Sequence, residues 1–340
     1  MTLEPKWRAL DQFRANLDDD WAVWRGSKRT IVGLEGVSDY CRKWHPLRTE
    51  LIACPGEGSL LPPPFIPTLA CAAQRGVIAA YKRAVYIWAA LVIFWLGLYI
   101  YNRFDIRILP GISIGFALLI TVYIELRTFR YLPALQERAL FLHWLRMDHR
   151  VRFGLALSGS SIALIGCVQL LAVNSIGSIN GLIIEWGGLF TDVRAGQYWR
   201  LITGPFIHSS PEHYFGNLAN ILVIGPIAYG LFGLRSLPVF LLGNIVGAAA
   251  QIAIGPQHHE ALTGISAGIL SLFAFVVVAG TALGLLPRGG GAPIAACGIV
   301  GVAVSELMTN NPATLAHLSG VAIGVAAAWA LVLFERYKSI

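Results

Sequence analysis

Eight long apolar runs decide what kind of molecule this chain can be. They are centred in residues 84–101, 108–124, 154–173, 214–232, 237–254, 266–286, 292–306 and 315–334. A run of about 18 apolar residues carries a helix across the roughly 30 Å hydrocarbon layer, and in that layer only helices or closed barrels satisfy the backbone. With 56% hydrophobic and 13% charged residues among 340, the chain is expected to be an all-α polytopic membrane protein.

The charges orient the runs. Residues 1–83 are polar and basic, carry Trp7, Trp21, Trp24 and Trp44, and show no apolar segment near Met1 of the secretory type. They read as a cytoplasmic N-terminal region, small and folded or half-folded, held inside by basic residues that end in Lys82 and Arg83. Alternation across the runs then places Arg127, Arg130, Arg138, Arg146, Arg150 and Arg152 inside, followed by Arg235, Arg288, Arg336 and Lys338. Outside fall mainly Asp192, Arg194, Arg200, Glu212, His258, His259, Glu260 and Glu306, with Arg103 and Arg107 as one local conflict. The organisation is therefore a region at 1–83, an extra transmembrane hairpin at 84–127, a cytoplasmic linker at 128–153 and a six-helix core at 154–340. Both termini are cytoplasmic in this reading.

The formal charge of +7 is mostly this topology signal, with attraction to the inner leaflet as a by-product. It calls for no nucleic acid. Cys167 and Cys297 lie in apolar runs, while Cys41, Cys54 and Cys71 sit on the reducing side, so no disulfide framework is expected. The spacing of Cys41, His45 and Cys54 matches no standard zinc pattern, and no metal or other cofactor is expected. "EGSLLPPPFIP", residues 57–67, reads as a linker or wrapped arm.

Polar groups are costly in a bilayer, so those that remain in the helices carry a functional hypothesis by default. "ALTGISAGIL", residues 261–270, sets Ser266 at the mouth of the sixth run, and "ATLAHLSGVAIG", residues 313–324, sets His317 one turn inside the eighth. At about 1.5 Å of rise per residue both lie within about 10 Å of the outer surface. Matched depth is what a hydroxyl nucleophile and its imidazole base require. No Asp or Glu lies at that depth in the core, so a serine hydrolase here would use a Ser-His dyad without an orienting carboxylate. In "HSSPEHYFGNLAN", residues 208–220, His213 and Asn217 are four apart and share a helix face, with Asn220 at its edge. Such uncharged donors suit a developing oxyanion.

Each residue taken alone has a plainer reading. Gly264 with Gly268, and Gly320 with Gly324, are small-xxx-small pairs of the kind that close helix packing uses. His317 and Asn217 could bond between helices, and His208 and His213 could anchor a helix end. What these readings explain poorly is three helices bringing nucleophile, base and donors to one level.

The run "GQYWRLITGPFIHSSPEHYFGN" from Gly196 to Asn217, with "GISAG" and "AHLSGVAIG" after it, resembles the rhomboid family of intramembrane serine proteases over about residues 154–334. Trp199 and Arg200 fit its tryptophan-arginine pair; His208, His213 and Asn217 fit its His-x4-His-x3-Asn; and His317, Gly320 and Gly324 fit its closing motif. The resemblance implies a six-helix rhomboid-like core in which Ser266 attacks and His317 is the base. His213, Asn217 and the Ser266 backbone N–H form the oxyanion hole, and His208, Trp199, Arg200, Gly264 and Gly268 give support. It further implies transmembrane protein substrates that unwind locally before cleavage. Water would reach the serine through a cavity open to the outside, to which Gln251, Gln257 and the loop at 174–207 are assigned.

Two departures stand out. Ala267 follows the serine where the family usually has glycine, and two helices rather than one precede the core. A catalytically silent relative that binds membrane helices for quality control or trafficking stays open as an alternative, with retention of Ser266 and His317 against it. A transporter using the histidines would want an inverted repeat, and none is seen. Early acids, Glu4, Asp11 and Asp18 to Asp20, are unlike a transit peptide and point to a bacterial plasma membrane. Oligomeric state is not readable.

Overall fold

The computed structural model describes residues 6–105, 108–255, 260–308 and 313–338. Glu4, Arg107, Gln257, His258, His259 and the side chain of Glu306 lie outside the described residues.

The N-terminal region is folded and contains a sheet, a local exception to the all-α architecture. Strand β1 (Ala22–Arg25) pairs antiparallel with β2 (Lys28–Ile31) and β3 (Leu51–Ala53), in the order β2-β1-β3. A two-residue turn joins β1 to β2, and Gly26 takes a positive φ of 61° there. Helix α1 (Gly33–Arg42) lies against helix α2 (Pro67–Tyr101), so closely that a Cβ at Gly76 would run into the Arg42 carbonyl.

Helix α2 runs across the boundary placed at 83/84. Pro67, at its first position, is preorganised for helix entry, and the helix then runs 35 residues without a break, about 50 Å. Its first turns bury Leu69, Ala73 and Val77 beneath Val37, Cys41 and Trp44 of the N-terminal unit. Arg75, Lys82 and Arg83 interrupt the apolar run, yet a helix with one packed face needs only a stripe of apolar residues. Hence the hydropathy boundary marks the start of the apolar run, and the helix itself starts earlier.

Helix α3 (Leu109–Thr128) returns beside α2, with Gly111 against Trp95 and Gly115 against Val92. The segment expected as a linker, 128–153, is largely helical. It is occupied by α4 (Leu132–Met147), which buries Leu135, Ala139, Phe141 and Trp144, and by the start of α5 (His149–Ile176), capped by the Asp148 carboxylate. Arg138, read above as a topology charge, is buried on α4 and donates to both carboxylate oxygens of Glu125 on α3, at 2.7 and 2.9 Å. It also donates to the Arg288 carbonyl at 3.2 Å. Trp7 is fully buried; its indole N–H donates to the Leu285 carbonyl at 2.8 Å, and its ring meets Phe141 edge-on. The N-terminal unit, the hairpin and the loop near 285–288 are thus tied together at one end of the helices.

Beyond α5 come α6 (Ile179–Trp186), β4 (Gly188–Leu189), α7 (Phe190–Arg194) and α8 (Arg200–Thr203). Then follow α9 (Pro211–Phe232), α10 (Ser236–Ile254), β5 (Ala261–Leu262), α11 (Ser266–Ala282), α12 (Gly291–Met308) and α13 (Thr314–Tyr337). β5 pairs with β4. Among the described residues five stretches are long and apolar enough to cross a bilayer, one of which holds both α9 and α10; α11 and α12 are shorter apolar helices. At 17 residues, α11 is about 26 Å long. The eight apolar runs all correspond to helices, and the molecule is an integral membrane protein.

Helix α11 is the hub, packed against α9, α10, α12 and α13, while α3 lies along α12. On α13 a Cβ at Gly320 would run into the Ala267 carbonyl, and one at Gly324 into that of Ser271. These two glycines let the backbones of α11 and α13 come together, as the small-residue pattern anticipates.

Candidate functional site

Ser266 is the first residue of α11. The chain reaches it from β5 through Gly264, which has a φ of 92°, a left-handed conformation that favours glycine. A second reason for glycine is steric, since a Cβ there would run into the His213 ring. The Gly264 N–H donates to the Ile207 carbonyl at 2.7 Å, which ties the approach to the start of α9. Gly264 therefore belongs to the turn ahead of α11 and is no member of a helical small-xxx-small pair. Gly268 does lie in the helix, against Phe240 and Asn244 of α10.

The Ser266 Oγ and His317 Nε2 are 2.8 Å apart. His317 is nine-tenths buried, and its Nδ1 has no hydrogen-bond partner among the described residues. The imidazole consequently has no carboxylate to orient it, and its place depends on where α13 stands. The base and the hydroxyl are in hydrogen-bond reach, the geometric requirement for proton transfer between them.

On α9, Ser210 caps the helix by accepting the His213 N–H at 3.2 Å, and Ser209 Oγ lies 3.4 Å from His213 Nδ1. Asn217, one turn on, is buried, and its Nδ2 has no partner. An unpartnered amide donor in a buried site is costly. Asn217, Asn220, Ser266 and His317 line one small cavity with Gly301 of α12, of about 20 Å³, room for a single water molecule.

His208 is brought near this cluster but does not reach the serine. Its ring is buried and meets His213 and Tyr214 edge-on, each at 5.3 Å. Gln169 of α5 clamps its backbone, accepting the His208 N–H at 2.9 Å and donating to its carbonyl at 2.8 Å. Trp199 and Arg200 stand apart from Ser266. Arg200 donates to the carbonyls of Ile184 and Gly187 at 3.0 and 2.9 Å and pairs with Asp192 at 2.9 Å. Trp199 lies under its guanidinium and edge-on to Trp186. Of the support roles expected for these residues, theirs is to hold the loop between α5 and α9 in shape.

Gln251 is placed differently from the sequence expectation. It faces no open cavity, being 1% exposed, and its Oε1 accepts the N–H groups of Leu315 and Ala316 at 3.1 and 3.2 Å. Sequence reasoning missed Asn244 as well, a buried carboxamide whose Oδ1 accepts the Gly268 N–H at 2.9 Å. Its signal was present, a lone amide in an apolar run, but nothing in one dimension says which helix it faces. Ala267 also finds its explanation. It packs where Gly247 of α10 leaves room, since a Cβ there would crowd the Ala267 methyl at 2.7 Å.

Among the described residues no group of three or more His, Cys, Asp or Glu is placed to hold a metal ion. In the N-terminal unit, burial pushes the Cys41 thiol up to about 12, and the His45 ring stacks on Tyr81.

Residues 195–334 match the family model described as Rhomboid domain. The matched segment spans α8 to α13 and contains Ser266, His317, His213, Asn217, His208, Trp199 and Arg200; α5, the first helix of the expected core, precedes it. No curated protein matches the chain.

Proposed function

We propose that this chain, whose residues 195–334 match the Rhomboid domain model, is an intramembrane serine endopeptidase that cleaves transmembrane segments of membrane proteins through a Ser266–His317 dyad. The 2.8 Å approach of Oγ to Nε2 carries this reading.

In this mechanism Ser266 Oγ attacks the scissile carbonyl carbon while its proton passes to His317 Nε2. The oxyanion forms at the N-terminus of α11, where the helix dipole favours negative charge. It is met by the Ser266 N–H, by Asn217 Nδ2 and by the His213 ring. Collapse breaks the peptide C–N bond, and the leaving amine takes the proton from His317. A water molecule then attacks the ester, gives its proton to His317, and Ser266 Oγ recovers that proton as the C–O bond breaks. The substrate helix must open locally first, because a carbonyl bonded within its own helix is shielded from attack. Small and helix-weakening residues near the cut are therefore expected. The charge bias of the loops supports cytoplasmic N- and C-termini and a site that opens to the outside.

The test is a fluorophosphonate probe applied to the purified protein in detergent or liposomes, read by intact mass and peptide mapping. One adduct on Ser266, lost in His317→Ala, is the expected result. An unlabelled Ser266, under conditions that label a known serine protease of this family, leaves helix binding without cleavage as the better account. Asn217→Ala is expected to lower kcat about 10²- to 10³-fold with KM little changed, since its amide serves a charge present only in the transition state. Steady-state kinetics on a reporter substrate checks it.

A further inference from the structure

Two helices bring the dyad together, and neither is fixed at its first turn by its own sequence. Helix α11 starts after Ile265 and α13 after Ala313, and neither residue caps its helix with a side chain. The first N–H groups of a helix have no partner within it, and leaving such donors unpaired in a buried site is costly. Both helices are served from a third. Asn244 of α10 accepts the Gly268 N–H, two residues past Ser266, and Gln251 of α10 accepts the Leu315 and Ala316 N–H groups, directly before His317. Asn244 and Gln251 are seven residues apart, which puts them on one face of α10 two turns from each other. Gly247 lies between them, and a Cβ there would stand 2.9 Å from the Ala316 carbonyl and 2.7 Å from the Ala267 methyl. One face of α10 thus grips α11 beside the serine and α13 beside the histidine.

We propose that Asn244 and Gln251 are positioning residues for hydrolysis, a bracket on α10 that sets the height of α13 against α11 and hence the Ser266–His317 distance. The inference rests on the dyad reading. It rests on the geometry at His317: apart from Ser266, no described residue bonds its ring, so the position of α13 sets where the imidazole stands. Misplacement of a reacting group by about 1 Å costs on the order of 100-fold in rate, so a helix free to slide by less than one residue's rise already matters.

The experiment is the rate of Ser266 phosphonylation by a fluorophosphonate, resolved into kinact and KI, on wild type, Gln251→Leu, Gln251→Glu, Asn244→Leu and the Leu double variant. Wild type is the internal control for the dyad. Gln251→Leu is expected to lower kinact 10- to 100-fold with KI unchanged, and Gln251→Glu to recover most of the loss, because a carboxylate oxygen accepts the same two N–H groups. The double variant should cost less than the product of the two single losses, since both act on one distance. Rates are referred to folded protein by melting curves, so a loss of stability alone does not reproduce the pattern. Wild-type kinact in folded Gln251→Leu, or Gln251→Glu no better than leucine, overturns the bracket and leaves the dyad standing. If Gln251→Leu does not fold, Gln251→Glu and Asn244→Leu decide on the same criteria. Absence of Ser266 labelling in wild type removes both readings together.

Discussion

Under the proposed mechanism, Ser266→Ala and His317→Ala are each expected to reduce cleavage of a membrane reporter by about 10⁴-fold or more, with the double variant hardly worse than either. Groups that act as one unit are grossly non-additive, because losing either stops the same step. The expectation follows from the single contact at 2.8 Å and from the unpartnered Nδ1, which leaves His317 no second route to its function. Melting curves should change little, because the serine hydroxyl and the imidazole support no other described residue through a hydrogen bond. Cleavage assays with proteoliposomes, run beside fluorophosphonate labelling, check it. Independent losses that multiply would mean that serine and histidine do not share a step.

The second large effect concerns stability at the opposite end of the helices. Arg138→Ala leaves the Glu125 carboxylate buried and alone, and breaking a buried pair in this way costs about 3–5 kcal/mol. The pair is 2.7 and 2.9 Å long with both side chains nearly excluded from solvent. Arg138 further holds the Arg288 carbonyl just ahead of α12, and α3, which carries Glu125, lies along α12. Loss of the arginine therefore loosens the extra hairpin from the rhomboid domain as well as stranding a charge. Replacing both, as Glu125→Leu with Arg138→Met, is expected to recover most of the loss, since an apolar pair of similar volume needs no desolvation. Melting temperature in one detergent, for the two single variants and the pair, tests this. Equal melting of Arg138→Ala and wild type would refute it.

How much could be read without coordinates differs residue by residue. Ser266, His317, His213 and Asn217 were legible because polar groups in apolar runs are rare and because depth in a helix follows from counting residues. Gly320 and Gly324 were legible for the same reason, as a spacing on one helix face. Arg138 was misread as one more topology charge. Its partner Glu125 sits at the end of the neighbouring span, and opposite charges pair across space without leaving a mark in spacing. Gln251 was misread as a wet residue, because a carboxamide near a helix end has the same composition whether it faces water or the N–H groups of another helix. Trp199 and Arg200 were recognisable by motif, yet only their contacts with Trp186, Ile184, Gly187 and Asp192 distinguish loop support from a part in the site.

The sequence by itself determined the membrane class, the number and order of the apolar helices, and the level at which Ser266, His317 and Asn217 lie. Hydropathy and helical rise are properties of the chain taken locally, so they need no knowledge of neighbours. Only the tertiary structure decided that α2 begins 17 residues before its apolar run does, that residues 132–147 form a helix with one buried face, and that α10 bonds the first turns of both α11 and α13. Those outcomes depend on which faces meet, and a helix face shows that it is apolar or carries an amide without naming the surface it will cover.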